Sequence, residues 1–323
     1  MNNPWDSITT PSHEFNVRLV SEKLPLNIYW GKDAKENYLF IIQFSKDAAP
    51  NNSILPELSG IRLTVIHSTD CSRMVLMLNE RTNWEIFKSL CIDLAYACET
   101  ITNHVEAVQA IVRRLLKWHE LLKRENLHLL SNEEIKGLIG ELLFLKDVLA
   151  PRFGWQQAIS FWKGPLGAPQ DFAVHEVAVE VKAQSGNSKP YVHINSLEQM
   201  DAQLPVFYLV VNTLATADPE QEEAFSLNSL VDSLKKELCL NDSISLEVFE
   251  SLIFQVGYSR YDHYDSPLYR SVACRSYCVT EGFPRLVLSN VPQGVIKANY
   301  QISIDKCEPF HKQLPFLDQG DRT

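Results

Sequence analysis

The sequence predicts an α/β fold of the α+β kind, and three observations predict it. The first hundred residues carry short apolar runs separated by polar turns, the pattern of a half-buried sheet. Two helix-period segments then follow one another, each opened by a capping residue. Behind them a period-two run reverses at His175-Glu176 and reads as a β-hairpin.

Residues 27–30 and 38–44 flank a polar turn and suggest one hairpin, residues 61–67 and 74–78 suggest two more strands, and residues 84–101 have helical spacing. Residues 1–102 therefore read as a β-rich N-terminal lobe closed by a helix. A second helix opens at Asn103, with Glu106 three residues on as a variant capping box, and runs to Arg124. A third opens at Ser131 with Glu134 in the same relation and runs to Leu149. The hairpin at 171–184, an extended run at 191–194 and a β-rich run at 206–212 complete a central unit, residues 103–213. Residues 214–323 read as a C-terminal α/β extension packed on that core or on the N-terminal lobe. Its helices fall at 227–240 and 246–255, and its strands at 273–279, 285–288 and 299–304.

Composition narrows the function. Hydrophobic residues make up 45% of the chain and charged ones 22%, ordinary values for a globular protein. A formal net charge of −10 supplies no global basic field for nucleic acid. Contact with such a polymer then needs a local basic patch, a bound metal or a partner protein. The chain has 7 cysteines and no Cys-x-x-Cys pair, which argues against a zinc site or a disulfide framework. Met-Asn-Asn-Pro-Trp is not a basic-then-apolar leader, and the longest apolar run, 206–211, is too short to span a bilayer. The expectation is a cytoplasmic protein with no membrane partner.

The chemistry concentrates in the hairpin. Phe172, Val174, Val177, Val179 and Val181 fall on one face, and Asp171, Ala173, Ala178, Glu180 and Lys182 on the other. A reversal at His175-Glu176 pairs Val174 with Val177, Phe172 with Val179 and Asp171 with Glu180. Directly opposed side chains have Cβ atoms roughly 5 Å apart, where like charges repel. Two carboxylates so placed, with a lysine one pleat further on, make a site for a divalent cation.

That spacing resembles the PD-(D/E)XK nuclease superfamily, and more closely a bacterial family grouped with it and linked to restriction and phage defence. The closer match is carried by Arg114-Leu-Leu-Lys-Trp118, Leu130-Ser131, Gly137-Leu-Ile-Gly-Glu141, Phe161-Trp162-Lys-Gly164-Pro165, Asp171-Phe172, Glu180-Val-Lys182, Ile194-Asn-Ser196, Gln199 and Gly282-Phe283-Pro284-Arg285, in the family's order. A carboxylate two residues before a lysine is by itself a weak signal, since Asp33-Ala-Lys35 and Glu134-Ile-Lys136 repeat it. Here Gln170 separates the motif's proline, Pro169, from Asp171.

The resemblance implies a restriction-endonuclease-like core with a mixed central sheet flanked by helices. It also implies a Mg²⁺- or Mn²⁺-dependent endonuclease acting on DNA, with other defence-system proteins as partners. The other readings are a non-catalytic DNA- or partner-binding subunit of a defence complex and, more distantly, a nuclease-like fold acting on RNA. Asp171 and Glu180 are the expected metal ligands, joined by the main-chain carbonyl of Val181. Lys182 would orient or deprotonate the attacking water, or neutralise charge at the scissile phosphate. Glu141 sits on its helix among Leu138 and Leu145, where a carboxylate needs a partner. It either completes the metal site, with Gly137 and Gly140 letting the helix approach, or reaches solvent at the edge of the stripe or pairs with an arginine in the core. Gln199 reads either as a contact to substrate or water after the third core strand, or as a helix-start residue. Lys163 reads as a phosphate contact or a turn residue.

Other polar residues have plainer readings. His193 is a sheet-surface histidine and His119 a satisfied core histidine. Arg113, Lys117, Glu120 and Arg124 form a solvated helix face. The tyrosine-rich run 258–269 is a surface loop unless it stacks bases or lines an interface.

Overall fold

The structure, a computed structural model, describes residues 3–123, 129–186 and 190–317. It divides into two compact units, Met1–Leu129 with Gly257–Tyr261 and Leu130–Val256 with Asp262–Thr323.

The first unit holds an antiparallel sheet in the order β1-β2-β3-β5-β4. Its strands are β1 (Phe15–Leu19), β2 (Asn27–Asp33), β3 (Tyr38–Phe44), β4 (Ile61–His67) and β5 (Ser72–Leu78). The central β3 is apolar almost throughout and buried on both faces. Strand β1 was not expected from the sequence. It is an edge strand with half-exposed residues, and so carries a weak apolar pattern. Trp5 stacks on Tyr38 and Phe87 and donates from Nε1 to the Leu39 carbonyl at 2.9 Å.

Helices α1 (Trp84–Ala97) and α2 (His104–Leu122) complete this unit. Asn103 caps α2 through the Val105 and Glu106 N–H groups. Two residues of the quoted Arg114–Trp118 stretch converge on buried Asp93. The Arg114 guanidinium lies 3.2 Å from its Oδ2 and Trp118 Nε1 donates to the same oxygen at 2.8 Å. His119 is satisfied, with Nδ1 2.5 Å from the Glu57 carbonyl oxygen, but its side chain is 24% exposed, so it sits at the rim of the core rather than inside it. Arg113 and Glu120 are exposed and Lys123 pairs with Glu120, as a solvated helix face predicts; Arg124 lies outside the described residues.

The second unit opens with α3 (Asn132–Leu143), capped by the Ser131–Glu134 capping box. A π-helical stretch, Phe144–Leu149, links it to α4 (Ala150–Phe153), and α5 (Trp155–Phe161) follows. Then come β6 (Phe172–Val174), β7 (Val177–Ser185), β8 (Tyr191–Ile194), β9 (Val206–Thr216), α6 (Leu227–Asn241), α7 (Ser243–Gln255), β10 (Tyr269–Cys278) and β11 (Tyr300–Ser303). The central sheet runs β10-β9-β7-β6. Strand β9 is parallel to β7 and the other pairs are antiparallel, so the sheet is mixed. The β6–β7 register is the one the residue pattern predicts, with Phe172 opposite Val179 and Val174 opposite Val177.

Strand β8 departs from expectation. It leaves the central sheet and pairs with β11, so the third core strand is β9. Residues 285–288 form no strand either. The Leu286 N–H is taken by the Tyr300 hydroxyl and the Val287 N–H by Asn290 Oδ1, which leaves no ladder to make. The tyrosines of 258–269 are core residues: Tyr258, Tyr261, Tyr264 and Tyr269 are each at most 4% exposed and present no face to a base.

Helix α3 lies on the face of β7 that carries Val181 and Ala183. A Cβ at Gly140 would stand 3.5 Å from Ala183 Cβ and 3.6 Å from Val181 Cγ1, ordinary contact distances. Buried Asn212, opposite Ala183 on β9, donates to the Gly140 carbonyl at 3.0 Å and ties helix to sheet. The opposite face packs Ala178, Leu209 and Val211 against Val192, Ile194 and Ile302. Among the described residues no helix is long and apolar enough to cross a membrane.

Only one of the two helix glycines meets the sheet. Nothing lies within 4 Å of where a Cβ would sit on Gly137. Gly137→Ala is therefore expected to stabilise the protein by about 1 kcal/mol, the helix-propensity difference, measured by urea unfolding. A destabilised variant would mean that this position needs its glycine.

Candidate functional site

Three carboxylates and one ammonium meet where β6 begins. Asp171 immediately precedes β6, at the position where the register would set it against Glu180. Its backbone is clasped, since the N–H groups of Lys163 and Gly164 donate to its carbonyl at 2.7 and 2.9 Å. Its side chain is held as well, with Oδ2 accepting the Val181 N–H at 2.8 Å. The loop before the hairpin and the middle of β7 thus fix Asp171 from both ends.

Glu180 and Lys182 lie one pleat apart on the face of β7 away from α3. Glu180 is fully buried. The Lys182 ammonium stands 2.7 Å from Glu180 Oε1, an ion pair whose angles fall short of a hydrogen bond, and neither Glu180 oxygen has a partner of full hydrogen-bonding geometry among the described residues. Lys182 also donates to Gln199 Oε1 at 3.2 Å, and the Asn195 N–H reaches the same oxygen at 2.9 Å. Gln199 sits on the short 3-10 turn Glu198–Met200, after a strand that is outside the central sheet and so is not the third core strand. Arg285, from the Gly-Phe-Pro-Arg stretch, donates to the Met200 carbonyl at 2.6 Å and secures that turn.

Glu141 enters from the helix side. Its Oε2 accepts the Trp162 Nε1–H at 2.7 Å. A Cβ on Gly164 would lie 3.1 Å from Asp171 Oδ1 and 3.4 Å from Glu141 Oε2, so both oxygens border the bare glycine backbone. Lys163 contributes its backbone to Asp171, while its half-buried side chain makes no hydrogen bond or ion pair among the described residues. His193 is exposed on β8, 3.2 Å from Gln301 Nε2, as a surface histidine should be.

The electrostatics follow from one cation among three acids, Glu180 buried and Asp171 and Glu141 half-buried. Burial pushes Glu180 up to about 8, helped by the Asp171 charge and opposed by Lys182. Burial raises Asp171 to about 6 against the pull of Lys182 and the Val181 N–H. Burial, and then the Asp171 charge, lift Glu141 well above the usual carboxylate range despite the Trp162 hydrogen bond. For Lys182, desolvation acts downward, but Glu180 and Asp171 outweigh it and its pKa is raised.

Among the described residues no three His, Cys, Asp or Glu side chains close into a metal-holding group. The donor set is nonetheless all oxygen, and the buried Glu180 carboxylate, which lacks a hydrogen bond of full geometry among the described residues, is an acceptor that a cation would satisfy. Hard divalent ions such as Mg²⁺ and Mn²⁺ take such ligands and complete their shells with water. The residues present fit such an ion as an open site.

Fold and site together define a mixed-sheet α/β protein with an acidic cluster and a lysine on one strand pair. The chain belongs to the family described as "Putative PD-(D/E)XK family member" (DUF4420), whose model matches residues 1–305. No curated protein and no solved structure matches it.

Raised carboxyl pKa values fix the sign of the pH dependence. Asp171 and Glu180 bind protons more tightly folded than unfolded, so the stability they permit is complete below about pH 4 and is lost as pH rises through about 6 and about 8. Metal-free protein is expected to melt lower at pH 8 than at pH 5, with a slope of up to about 1.4 kcal/mol per pH unit for each proton lost. Asp171→Asn removes one titrating group and one repelling charge, so it should flatten the slope and melt above wild type at pH 7.5. Melting curves across that range decide the matter; a wild-type Tm that rises with pH, or an Asp171→Asn protein that melts lower, would separate these carboxylates.

Proposed function

We propose that this chain is a divalent-metal-dependent nuclease that hydrolyses phosphodiester bonds in DNA, acting in bacterial restriction or anti-phage defence. The observation that carries the reading is the fully buried Glu180, whose oxygens have no hydrogen bond of full geometry among the described residues, beside Asp171 and Lys182 on the hairpin. Family membership supports a nuclease. The defence setting rests on the resemblance of the ordered motif set.

In this reading Asp171 and Glu180 hold the ion, with the Val181 carbonyl and Glu141 as further oxygen donors. A bound Mg²⁺ or Mn²⁺ supplies an acidified water and neutralises charge on the phosphoryl oxygens. Lys182, held between Glu180 and Gln199, places a fixed positive charge where negative charge develops. Gln199 keeps that ammonium in place through its own bond to the Asn195 N–H. Lys163 has an ammonium available for a neighbouring phosphate, which suits a chain whose overall charge would repel the polymer.

Plasmid nicking by the purified protein tests the proposal. Cleavage should require Mg²⁺ or Mn²⁺ and fall by about 100-fold or more in Lys182→Ala, the scale of losing one positioned catalytic group. Asp171→Ala and Glu180→Ala should be inactive while still folded. Undiminished nicking by Glu180→Ala or Lys182→Ala would place the chemistry elsewhere. Cleavage of RNA in preference to DNA would overturn the assigned substrate.

A further inference from the structure

The stretch Phe161-Trp162-Lys-Gly164-Pro165 contributes more to the site than its lysine. Trp162 is 1% exposed, with its ring 6.4 Å from Phe172 in a stacked arrangement and 6.2 Å from Phe249. A phenyl ring would satisfy that packing. The indole adds an N–H, and a buried N–H costs stability unless it finds an acceptor. The acceptor here is Glu141 Oε2, at 2.7 Å, on a different element of the fold.

Indole nitrogen donates and cannot accept, so it can hold only an oxygen with a free lone pair. It therefore draws one carboxylate oxygen of Glu141 toward the ring and leaves the other free to face elsewhere. Two residues on, Gly164 borders both that same Oε2 and Asp171 Oδ1. The N–H groups of Lys163 and Gly164 meanwhile clasp the Asp171 carbonyl. One short segment thus grips two acids that come from opposite sides of the sheet, one through an indole and the other through backbone.

We propose that this segment is the positioning device of the site: Trp162 orients the Glu141 carboxylate so that it and Asp171 present oxygens to one cation, and Gly164 keeps the gap between them open. The proposal rests on reading the cluster as a divalent-metal centre. Trp162 touches neither ion nor substrate in this scheme and acts through Glu141. Outer partners of metal-ligating groups commonly change metal affinity by ten- to a hundredfold when removed.

The experiment is a Mn²⁺ titration followed by electron paramagnetic resonance, with Tm measured on every protein. Wild type, Asp171→Asn, Trp162→Phe, Glu141→Gln and the Trp162→Phe/Glu141→Gln double variant are compared. Trp162→Phe keeps a ring against Phe172 and deletes the N–H. It should weaken Mn²⁺ binding by about tenfold, and the double variant should bind no more weakly than Glu141→Gln alone, because the indole works through that carboxylate. A purely structural tryptophan would instead lower Tm and leave Mn²⁺ affinity unmoved.

The outcomes separate two failures. Wild type that binds no Mn²⁺ overturns the metal reading of the site and the proposal with it. Wild-type binding that Asp171→Asn weakens and Trp162→Phe leaves intact overturns the proposal alone, as does full additivity in the double variant. Should Trp162→Phe not fold, Gly164→Ala carries the same test. Its methyl group would crowd Asp171 Oδ1 and Glu141 Oε2, so unchanged Mn²⁺ affinity in that variant would also overturn the proposal.

Discussion

Asp171, Glu180 and Glu141 are drawn together around a single ammonium, Glu180 wholly out of water and the other two partly so, and much of the second unit is arranged to keep them there. Left to themselves, acids so placed would turn to solvent or force the strands apart, because desolvation and mutual repulsion both oppose their charge. The chain prevents this with backbone. Two N–H groups from the loop hold the Asp171 carbonyl, and one from β7 holds its carboxylate. Glu180 lies in the middle of β7, opposite Leu209 of β9 and one residue beyond the last β6 pair, Phe172–Val179. The strand pairing thus fixes the backbone that carries the second acid.

A site made this way needs a rigid frame, and the frame is a sheet gripped on both faces. Asn212 fastens α3 to the sheet at Gly140, the residue before Glu141, so a hydrogen bond made for packing also sets where that glutamate emerges. On the opposite face the β8–β11 pair covers Ala178, Leu209 and Val211. The turn after β8 then delivers Gln199 to Lys182, and Arg285 holds the turn by the Met200 carbonyl. A residue 86 positions further along the chain than Gln199 thereby steadies the lysine, with 285 − 199 giving that separation.

What was legible in the sequence follows the range of the interaction that decides it. The β6–β7 register was legible because a tight turn and a strict period of two leave one pairing that buries Phe172, Val174 and Val179 together. The capping box at Ser131 was legible because its parts lie three residues apart. The partner of β8 was not, since it lies more than a hundred residues away and 191–194 is equally apolar on either choice of neighbour. The tyrosines of 258–269 were misjudged because polar tips and frequent aspartates give a buried, hydrogen-bonded loop the look of a surface one; the Tyr264 hydroxyl in fact accepts the Leu130 N–H at 2.7 Å. Glu141 announced that it needed a partner, but nothing in its spacing pointed to an indole on another helix end. The one clue was that Trp162 belonged to the quoted motif without a task.

The two roles open to Lys182 are not equally served by its surroundings. To deprotonate water it would first have to lose its own proton, and desolvation alone would encourage that. Glu180, Asp171 and Glu141 all act in the other direction and prevail, so the ammonium stays charged. Its contact with Gln199 fits this, since the ammonium donates to Gln199 Oε1. Of the two roles, the fixed positive charge is therefore the one that the proposed nuclease reading assigns to Lys182.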